Sequence, residues 1–287
     1  MARAGGRAPL PADRAAGRGS TLSRSRVPAR LAGLVDSHCH LQDPAFDADR
    51  EAVLERAAAA GIERLLVPGY DLPSSRAAAE LARRHPAVTA AVGIHPHFAA
   101  AASEADWDEL GALAGAPEVG AIGEIGLDYF RNLSPPEAQR EAFARQLALA
   151  TDSRKPVLVH DRDAHDDVRE ALLGWSGAGS PVRGVLHAYS GDAPLAHKMT
   201  DAGFLVSFAL PLTFGSATGP RAAAVALPAE TFLVETDSPW LAPQGAGARN
   251  EPTTALRVAV ELARLRAETP EAITAQVRRA FDRLLSA

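Results

Sequence analysis

The sequence predicts an α/β protein with a single (β/α)8 barrel, and three observations lead to that prediction. Short apolar segments alternate eight times with segments rich in Ala, Leu, Glu and Arg. Roughly 250 residues are enough for one such barrel, so the length does not require a second domain. The turn after the first apolar segment reads His38-Cys39-His40-Leu41. An open doubly wound sheet, the alternative fold, usually has a glycine-rich phosphate turn there.

Each strand is predicted where an apolar run has the length of a buried strand, and each helix where apolar residues recur every three or four positions. The predicted strands are Leu34–His38, Glu63–Val67, Val88–Ile94, Val119–Glu124, Pro156–His160, Arg183–His187, Phe204–Phe208 and Phe232–Asp237. Predicted helices between them include Asp49–Ala60, Ser74–Arg84, Pro136–Thr151, Ala164–Trp175, Pro194–Ala202 and Arg221–Ala226. Two further helices, Thr253–Arg266 and Pro270–Leu285, are predicted to close the barrel.

The chain divides into a predicted disordered extension, residues 1–33, and a barrel domain, residues 34–287. The extension contains seven arginines and one aspartate but almost no large apolar side chains, so it cannot offset the entropy of ordering. Its formal charge is +6, which leaves −11 on the barrel domain out of a total of −5. A protein that captures nucleic acid by general electrostatics has a basic body. Any phosphate substrate must therefore be bound locally, by metals or a few placed cations.

Composition also restricts the compartment. The single cysteine, Cys39, excludes an internal disulfide, which suits a reducing cytoplasm. No apolar run approaches the ~20 residues of a membrane span. The N-terminal arginines are not followed by the apolar core of a signal peptide. We therefore expect a cytoplasmic protein without membrane association, and infer no obligate protein partner.

The chemistry is expected at the end of the barrel where the strands terminate, because barrel active sites lie on that face. His38 and His40 are two residues apart, so on an extended strand they face the same way and Cys39 faces the opposite way. The strand ends together supply six potential metal ligands: His38, His40, Glu124, His160, His187 and Asp237. Six such ligands can hold two divalent ions, with Glu124 placed to bridge them.

Two divalent ions held by four neutral imidazoles and two carboxylates keep an excess charge of about +2, which attracts an anion even to an acidic protein. Such a pair can stabilise the attacking and leaving oxygens of a phosphodiester. Asp237 can coordinate one metal and accept a proton from water, so Asp237 and Glu124 are the predicted catalytic residues. The metal could be Zn²⁺, Mn²⁺ or Mg²⁺, since histidine-rich sites suit the first two and nucleases often use the third.

Seven segments resemble the signatures of the TatD family of metal-dependent deoxyribonucleases, in the metallo-dependent hydrolase superfamily. In order they are Asp36–Leu41, Val92–His97, Ile122–Tyr129, Pro156–His160, Gly184–Gly191, Glu235–Pro239 and Arg249–Pro252. The resemblance implies a TIM-barrel hydrolase that uses divalent metals, commonly as a 3′–5′ exonuclease on DNA and sometimes RNA. The family's metal ligands fall on the six residues chosen above by position. Related dinuclear amidohydrolases usually bridge their metals with a carboxylated lysine on the fourth strand, and here that position is Glu124.

Substrate contacts are predicted from the remaining polar residues at strand ends. They are His95, His97, Tyr129, Arg249 and Asn250. The two histidines share a face after the third strand and could support the ligands or contact phosphate. Arg249 belongs to the family motif with Asn250. It could bind phosphate through two hydrogen bonds, as could Arg131 and Arg162 in other strand-end loops.

Two departures from the family pattern concern DNA contact. Residues 244–248 read Gln-Gly-Ala-Gly-Ala where the family usually has Tyr-Arg-Gly-Lys-like residues. The loop Thr213–Ser216 reads Thr-Phe-Gly-Ser where Thr-Phe-Lys-Asn is common. Both changes remove cations, so a second hypothesis keeps the metals but cleaves an acyl ester such as aminoacyl-tRNA. A third, from another class, is a non-catalytic scaffold in a DNA-repair complex, which gives no reason to retain all six ligands.

Overall fold

A computed structural model describes residues 27–177, 179, 182–243 and 249–286. The predicted disorder therefore falls mostly on residues outside the described part, 1–26, as does the cation-poor segment 244–248. Of the remaining extension, Leu31 is buried in the core, and its backbone N–H donates to Ala60 O at 3.0 Å. The packed domain thus begins a few residues before the predicted boundary at residue 34.

Eight parallel strands in chain order form the sheet, which confirms the predicted barrel class. The strands are β1 Leu34–Asp36, β2 Ile62–Pro68, β3 Val88–Val92, β4 Val119–Asp128, β5 Val157–Arg162, β6 Gly184–Leu186, β7 Phe204–Phe208 and β8 Phe232–Val234. The helices are α1 Arg50–Ala59, α2 Leu72–Arg84, α3 Glu104–Ala114, α4 Pro136–Ser153, α5 His165–Gly174, α6 Ala193–Asp201, α7 Thr218–Ala226, α8 Ala255–Arg266 and α9 Pro270–Leu284. Short 3-10 turns lie at Pro44–Phe46, Pro96–Ala101, Leu210–Thr213 and Pro252–Thr254.

The first and last strands meet through the segments that follow them, and this closes the barrel. Ser37 N donates to Val234 O at 3.0 Å, and Asp237 N donates to His38 O at 2.8 Å. His40 N donates to Ser238 O at 2.7 Å. These bonds hold the residues after β1 beside the residues after β8. They therefore bring two predicted groups of ligands together at one mouth of the barrel.

The core has the two layers that a barrel requires, an inner sheet and an outer ring of helices. The strands are almost continuously buried, and the largest fully buried side chains are phenylalanines on β7, β8, α4, α9 and the turn after β1: Phe204, Phe208, Phe232, Phe143, Phe281 and Phe46. Helix starts are fixed locally; Asp71 and Ser74, for example, form a capping box on α2. Within the described residues, no helix combines the length and the apolarity needed to cross a membrane.

Several elements differ from the predicted ones, mostly by a few residues at their ends, and three differences matter most here. β1 ends at Asp36, so His38 and His40 lie just beyond it. β4 continues to Asp128, so Glu124 lies within the strand and not at its end. Helix α3 was not predicted, because only Leu110 and Ala114 are buried on it and the apolar periodicity is weak.

Candidate metal centre

The first pair of imidazoles follows β1. His38 and His40 are buried, and their Nε2 atoms lie 2.9 Å apart. Cys39 points away from them and donates its thiol to Leu66 O at 3.8 Å. The backbone pairing of Cys39 with Ser238 keeps this segment extended beyond the strand. The alternation of side chains expected for a strand is therefore present, and both imidazoles face the mouth.

Glu124 lies at the centre of the site, and its two carboxylate oxygens face different histidines. Oε2 is 3.4 Å from His38 Nε2 and 3.5 Å from His40 Nε2. Oε1 is 2.9 Å from both His160 Nδ1 and His187 Nε2. A single carboxylate thus spans two groups of imidazoles. This is the arrangement required of a bridging ligand.

Asp237 completes the group beside the first pair. Its Oδ1 lies 3.7 Å from His38 Nε2 and 3.6 Å from His40 Nε2. The residue has a φ of +54°, a left-handed conformation that aspartate tolerates better than most residues. Its side chain is 16% exposed, compared with 5% for Glu124. Asp237 is therefore the carboxylate of the pair that water reaches more readily.

The six residues predicted as ligands thus converge, and their donor atoms fit a divalent metal. Three groups place one ligand atom from each member within 4.8 Å of one another: His38, Glu124 and His187; His38, His40 and Asp237; and His95, Glu124 and His160. The Nε2 atoms of His38 and His40 are 2.9 Å apart, so at most one of them carries a proton, and an unprotonated imidazole nitrogen can bind a cation. Mixed imidazole and carboxylate donors suit Zn²⁺ or Mn²⁺.

The protonation of these groups follows from burial and mutual charge. Burial acts to raise the pKa of Glu124, but His95, His187 and His38 hold it well below its usual range. Burial acts to lower the pKa of His187, but Glu124 and Glu235 raise it. His95 is different, because burial dominates and lowers its pKa to about 3. The centre therefore holds an ionised carboxylate among imidazoles.

His95 is more central than the sequence indicated. Its Nε2 lies 3.3 Å from Glu124 Oε1, within the same cluster as His160. His97 lies one step further out, where its Nε2 is 2.7 Å from Asp128 Oδ2. Asp128 Oδ2 is in turn 3.2 Å from His160 Nε2. His97 and Asp128 therefore orient His160, and a direct contact of His97 with substrate stays a prediction.

The other predicted substrate contacts form hydrogen bonds inside the protein. Tyr129 donates its hydroxyl to Asp167 Oδ2 at 2.6 Å. Arg249 binds both oxygens of Asp49 at 2.6 Å and lies over the ring of Phe46. Asn250 is buried and donates its Nδ2 to Thr236 O at 2.8 Å. These contacts give Arg249 and Asn250 structural roles, and their contact with substrate stays a prediction.

Sequence reasoning missed the support given by two buried acidic residues, of which Glu235 lies behind an imidazole and Asp36 bonds the backbone near one. Glu235 is fully buried, accepts from Ala188 N at 2.6 Å, and lies 3.4 Å from His187 Nδ1. Asp36 is also fully buried and accepts from Thr236 Oγ1 at 2.6 Å. The available signal was a charged residue at the edge of an otherwise apolar strand. A carboxylate behind a ligating histidine fixes the ring and its tautomer.

A cavity of about 1030 Å³ lies beside the centre, on the side of β5, β6 and β7. Its lining includes four aspartates from the loop after β5, the first turn of α5 and the N-cap of α6: Asp163, Asp166, Asp167 and Asp192. Arg169 is the one arginine among the lining residues that the structure describes. Carboxylates repel a phosphodiester backbone, so this side of the mouth is a poor path for a nucleic-acid strand.

Comparison with known proteins agrees with the geometry. A family model described as TatD related DNase matches residues 35–286. The chain is 38% identical to the "Uncharacterized metal-dependent hydrolase YabD" of Bacillus subtilis, over 84% of this chain and 94% of that protein. It is 34% identical to the "3'-5' ssDNA/RNA exonuclease TatD" of Salmonella typhimurium, over 84% of this chain and 95% of that protein. The crystal structure of YjjV, a TatD homologue from Escherichia coli, superposes with a TM-score of 0.83 at 30% identity. The superposition covers 89% of this chain and 99% of YjjV. The chain belongs to the family of TatD related DNases.

Proposed function

We propose that the protein is a divalent-metal-dependent hydrolase that removes nucleotides from the 3′ end of single-stranded DNA, and also of RNA. The observation that carries this proposal is the position of the Glu124 carboxylate. Its two oxygens face different imidazoles at one mouth of the barrel: Oε2 faces His38, and Oε1 faces His160 and His187. Family membership supports it, as does the similarity to a relative named as a 3′–5′ ssDNA/RNA exonuclease. A substrate with accessible phosphates suits a buried cationic centre in an acidic protein.

The centre has the ligands for two divalent ions. His38, His40 and Asp237 would hold one, as one of the three close groups of donor atoms. His160 and His187, whose ring nitrogens Nδ1 and Nε2 lie 3.1 Å apart, would hold the other, and Glu124 would contact both. Bound there, the ions would supply Lewis-acid stabilisation of phosphate charge and lower the pKa of water. Zinc or manganese is proposed over magnesium, because four imidazoles exceed what magnesium normally accepts.

The chain's own residues account for the remaining steps. Asp237 accepts the proton of the attacking water, because its carboxylate is at the centre and is the more exposed of the two. Asp128 and His97 hold His160 in position through bonds of 3.2 and 2.7 Å. Glu235 lies behind His187, with its Oε1 3.4 Å from His187 Nδ1, and its negative charge supports that imidazole. These buried supports keep the ligands aligned while substrate enters and leaves.

The compartment proposed is the cytoplasm. The one cysteine of the chain, Cys39, is buried and is a free thiol. A protein without a disulfide has no structural need for an oxidising environment.

The proposal is tested with full-length protein stripped by EDTA and restored separately with Zn²⁺, Mn²⁺ or Mg²⁺. Each form is given a single strand labelled at its 5′ end and, separately, an ester-linked aminoacyl-tRNA. Stepwise shortening of the strand that depends on metal supports the proposal, and elemental analysis gives the metal count. Acyl release with intact DNA would instead make the protein a deacylase.

Substitution of the proposed proton acceptor provides the second arm. Asp237→Asn should abolish turnover while circular dichroism shows an unchanged fold. The matched control is Asp152→Asn, which changes an exposed aspartate near the end of α4. Turnover retained in Asp237→Asn would contradict the assigned role and would favour a scaffold if the wild type were also inactive.

A further inference from the structure

The loop after β4 presents a large apolar side chain to solvent at the mouth of the barrel. Phe130 is 55% exposed, and Leu133 in the same loop is 57% exposed. Among the described residues, the exposed large apolar side chains include one aromatic, and it is Phe130. Exposed apolar side chains that occur together beside a polar site are a mark of a ligand-binding surface, and both of these belong to one short loop.

The loop that carries Phe130 is fixed to the metal centre. Arg131 N donates to Asp128 Oδ1 at 2.7 Å, and the other oxygen of Asp128 contacts His97 and His160. Tyr129 N donates to Arg162 O at 2.9 Å. The ring of Phe130 thus lies two residues from a side chain that touches the candidate ligands. Its position relative to the centre is set by backbone bonds.

One arginine stacks on the exposed ring and another follows it in the chain. The guanidinium carbon of Arg162 lies 4.0 Å from the centroid of Phe130, a stacked cation–π contact that covers one face of the ring. Within the described part of the chain, no carboxylate pairs with the side chain of Arg131, which is half-buried. Arg249, the arginine preferred from sequence, is instead bound to Asp49. A cation without a carboxylate partner among the described residues, Arg131, therefore follows Phe130 directly in the chain.

We propose that Phe130, Arg131 and Arg162 form a nucleotide subsite, in which an unpaired base stacks on the exposed ring of Phe130 and Arg131 contacts a neighbouring phosphate. The inference rests on the proposed function and deepens it. Stacking on an aromatic ring requires a base that is free of a duplex, so the subsite selects single strands. It also supplies binding energy that does not depend on a basic protein surface, since every base has a π-face.

Binding to a fluorescent oligothymidylate tests the base contact. Phe130→Ala should weaken binding of the full chain in EDTA, and raise KM of the manganese-loaded enzyme, by about fivefold to 100-fold. Phe130→Trp should retain the wild-type values, because the larger ring also stacks. The control is Val225→Ala on the outer face of α7, which removes an apolar side chain of the same 55% exposure.

Abasic substrates identify the contact as base stacking. One nucleotide at a time is replaced by an abasic residue in the strand. The wild type should lose affinity at one or two positions, and Phe130→Ala should show no further loss there. Equal losses in both proteins at every position would overturn the proposal. An unchanged KM in Phe130→Ala would also overturn it. If the substitution changed only the sedimentation coefficient, Phe130 would be a contact between protein molecules and the proposal would be wrong.

Salt dependence tests the phosphate contact. Arg131→Ala should reduce the slope of log Kd against log salt concentration by about 0.7, the value for one phosphate on a single strand. Arg257→Ala, an exposed arginine on α8, is the matched control and should leave the slope unchanged. An unchanged slope in Arg131→Ala would remove Arg131 from the subsite. Failure of the proposed function is distinct, because the wild type would then release no nucleotides from any strand.

Discussion

Replacement of Gly126 by alanine is the perturbation that most directly links the barrel to the metal centre. Gly126 lies in β4 between Glu124 and Asp128, and it pairs with His160 on β5. Its φ is +133°, a conformation that L-residues rarely adopt. A Cβ added there would lie 2.0 Å from the carbonyl oxygen of His160. No side-chain rotation relieves this contact, because the obstructing atom belongs to the backbone.

The expected cost follows from two contributions. Holding alanine at this φ costs about 1–3 kcal/mol. Moving the two strands apart by roughly 1.3 Å or more, to reach a carbon–oxygen contact of about 3.3 Å, weakens one or two ladder hydrogen bonds at about 1 kcal/mol each. The free energy of unfolding should therefore fall by about 2–5 kcal/mol. The same movement displaces His160, so the divalent-metal content of the purified protein should also fall.

Urea denaturation followed by circular dichroism measures the first effect, and elemental analysis measures the second. Gly111→Ala is the control, because Gly111 lies in helix α3 with nothing within 4 Å of the added Cβ. That substitution should stabilise the protein by about 0.5–1 kcal/mol, since alanine is the better helix former. If Gly126→Ala were as stable as the wild type, the close approach of β4 and β5 at His160 would be refuted.

Three further predictions concern the metals and the core. Removal of metal by EDTA should lower the melting temperature by roughly 5–10 °C, because an ion at 100 times its Kd contributes about 2.7 kcal/mol; calorimetry without any shift would contradict a resident metal. Glu235→Gln should weaken zinc binding by about 10- to 100-fold in competition with a fluorescent chelator, since it removes the carboxylate 3.4 Å from His187 Nδ1. Phe281→Ala, fully buried on α9, should lower the free energy of unfolding by about 3–5 kcal/mol in urea, and a loss under 1 kcal/mol would show that the site collapses to fill the cavity.

Much of the fold is local information, which explains why the barrel class was predictable. Each strand is an apolar run of limited length, and each helix carries its own periodicity and caps, as Asp71 and Ser74 do on α2. Helix α3 was missed because its buried face is reduced to Leu110 and Ala114. The extension of β4 past Glu124 was missed because glycine-rich sequence usually ends a strand, and here Gly126 permits a close approach to β5.

The convergence of the six side chains could also be anticipated, since parallel strands end on the same face. Which of these histidines each oxygen of Glu124 faces could not be anticipated. That Glu124 directs one oxygen to His38 and the other to His187 depends on the register of β4 against its neighbours. Whether Arg249 can contact a phosphate also depends on a distant residue, because Arg249 binds Asp49, 200 positions away in sequence.

The sequence by itself thus predicted which residues could ligate a metal, because residue type and strand position decide what can do so. The tertiary structure alone decided which side chains are neighbours: His95 beside Glu124, Glu235 behind His187, and Arg162 over Phe130. The physical reason is the distance along the chain over which each interaction acts. Periodicity and capping act over a few residues, whereas packing across a closed barrel fixes which distant side chains share a hydrogen bond, a charge or a metal.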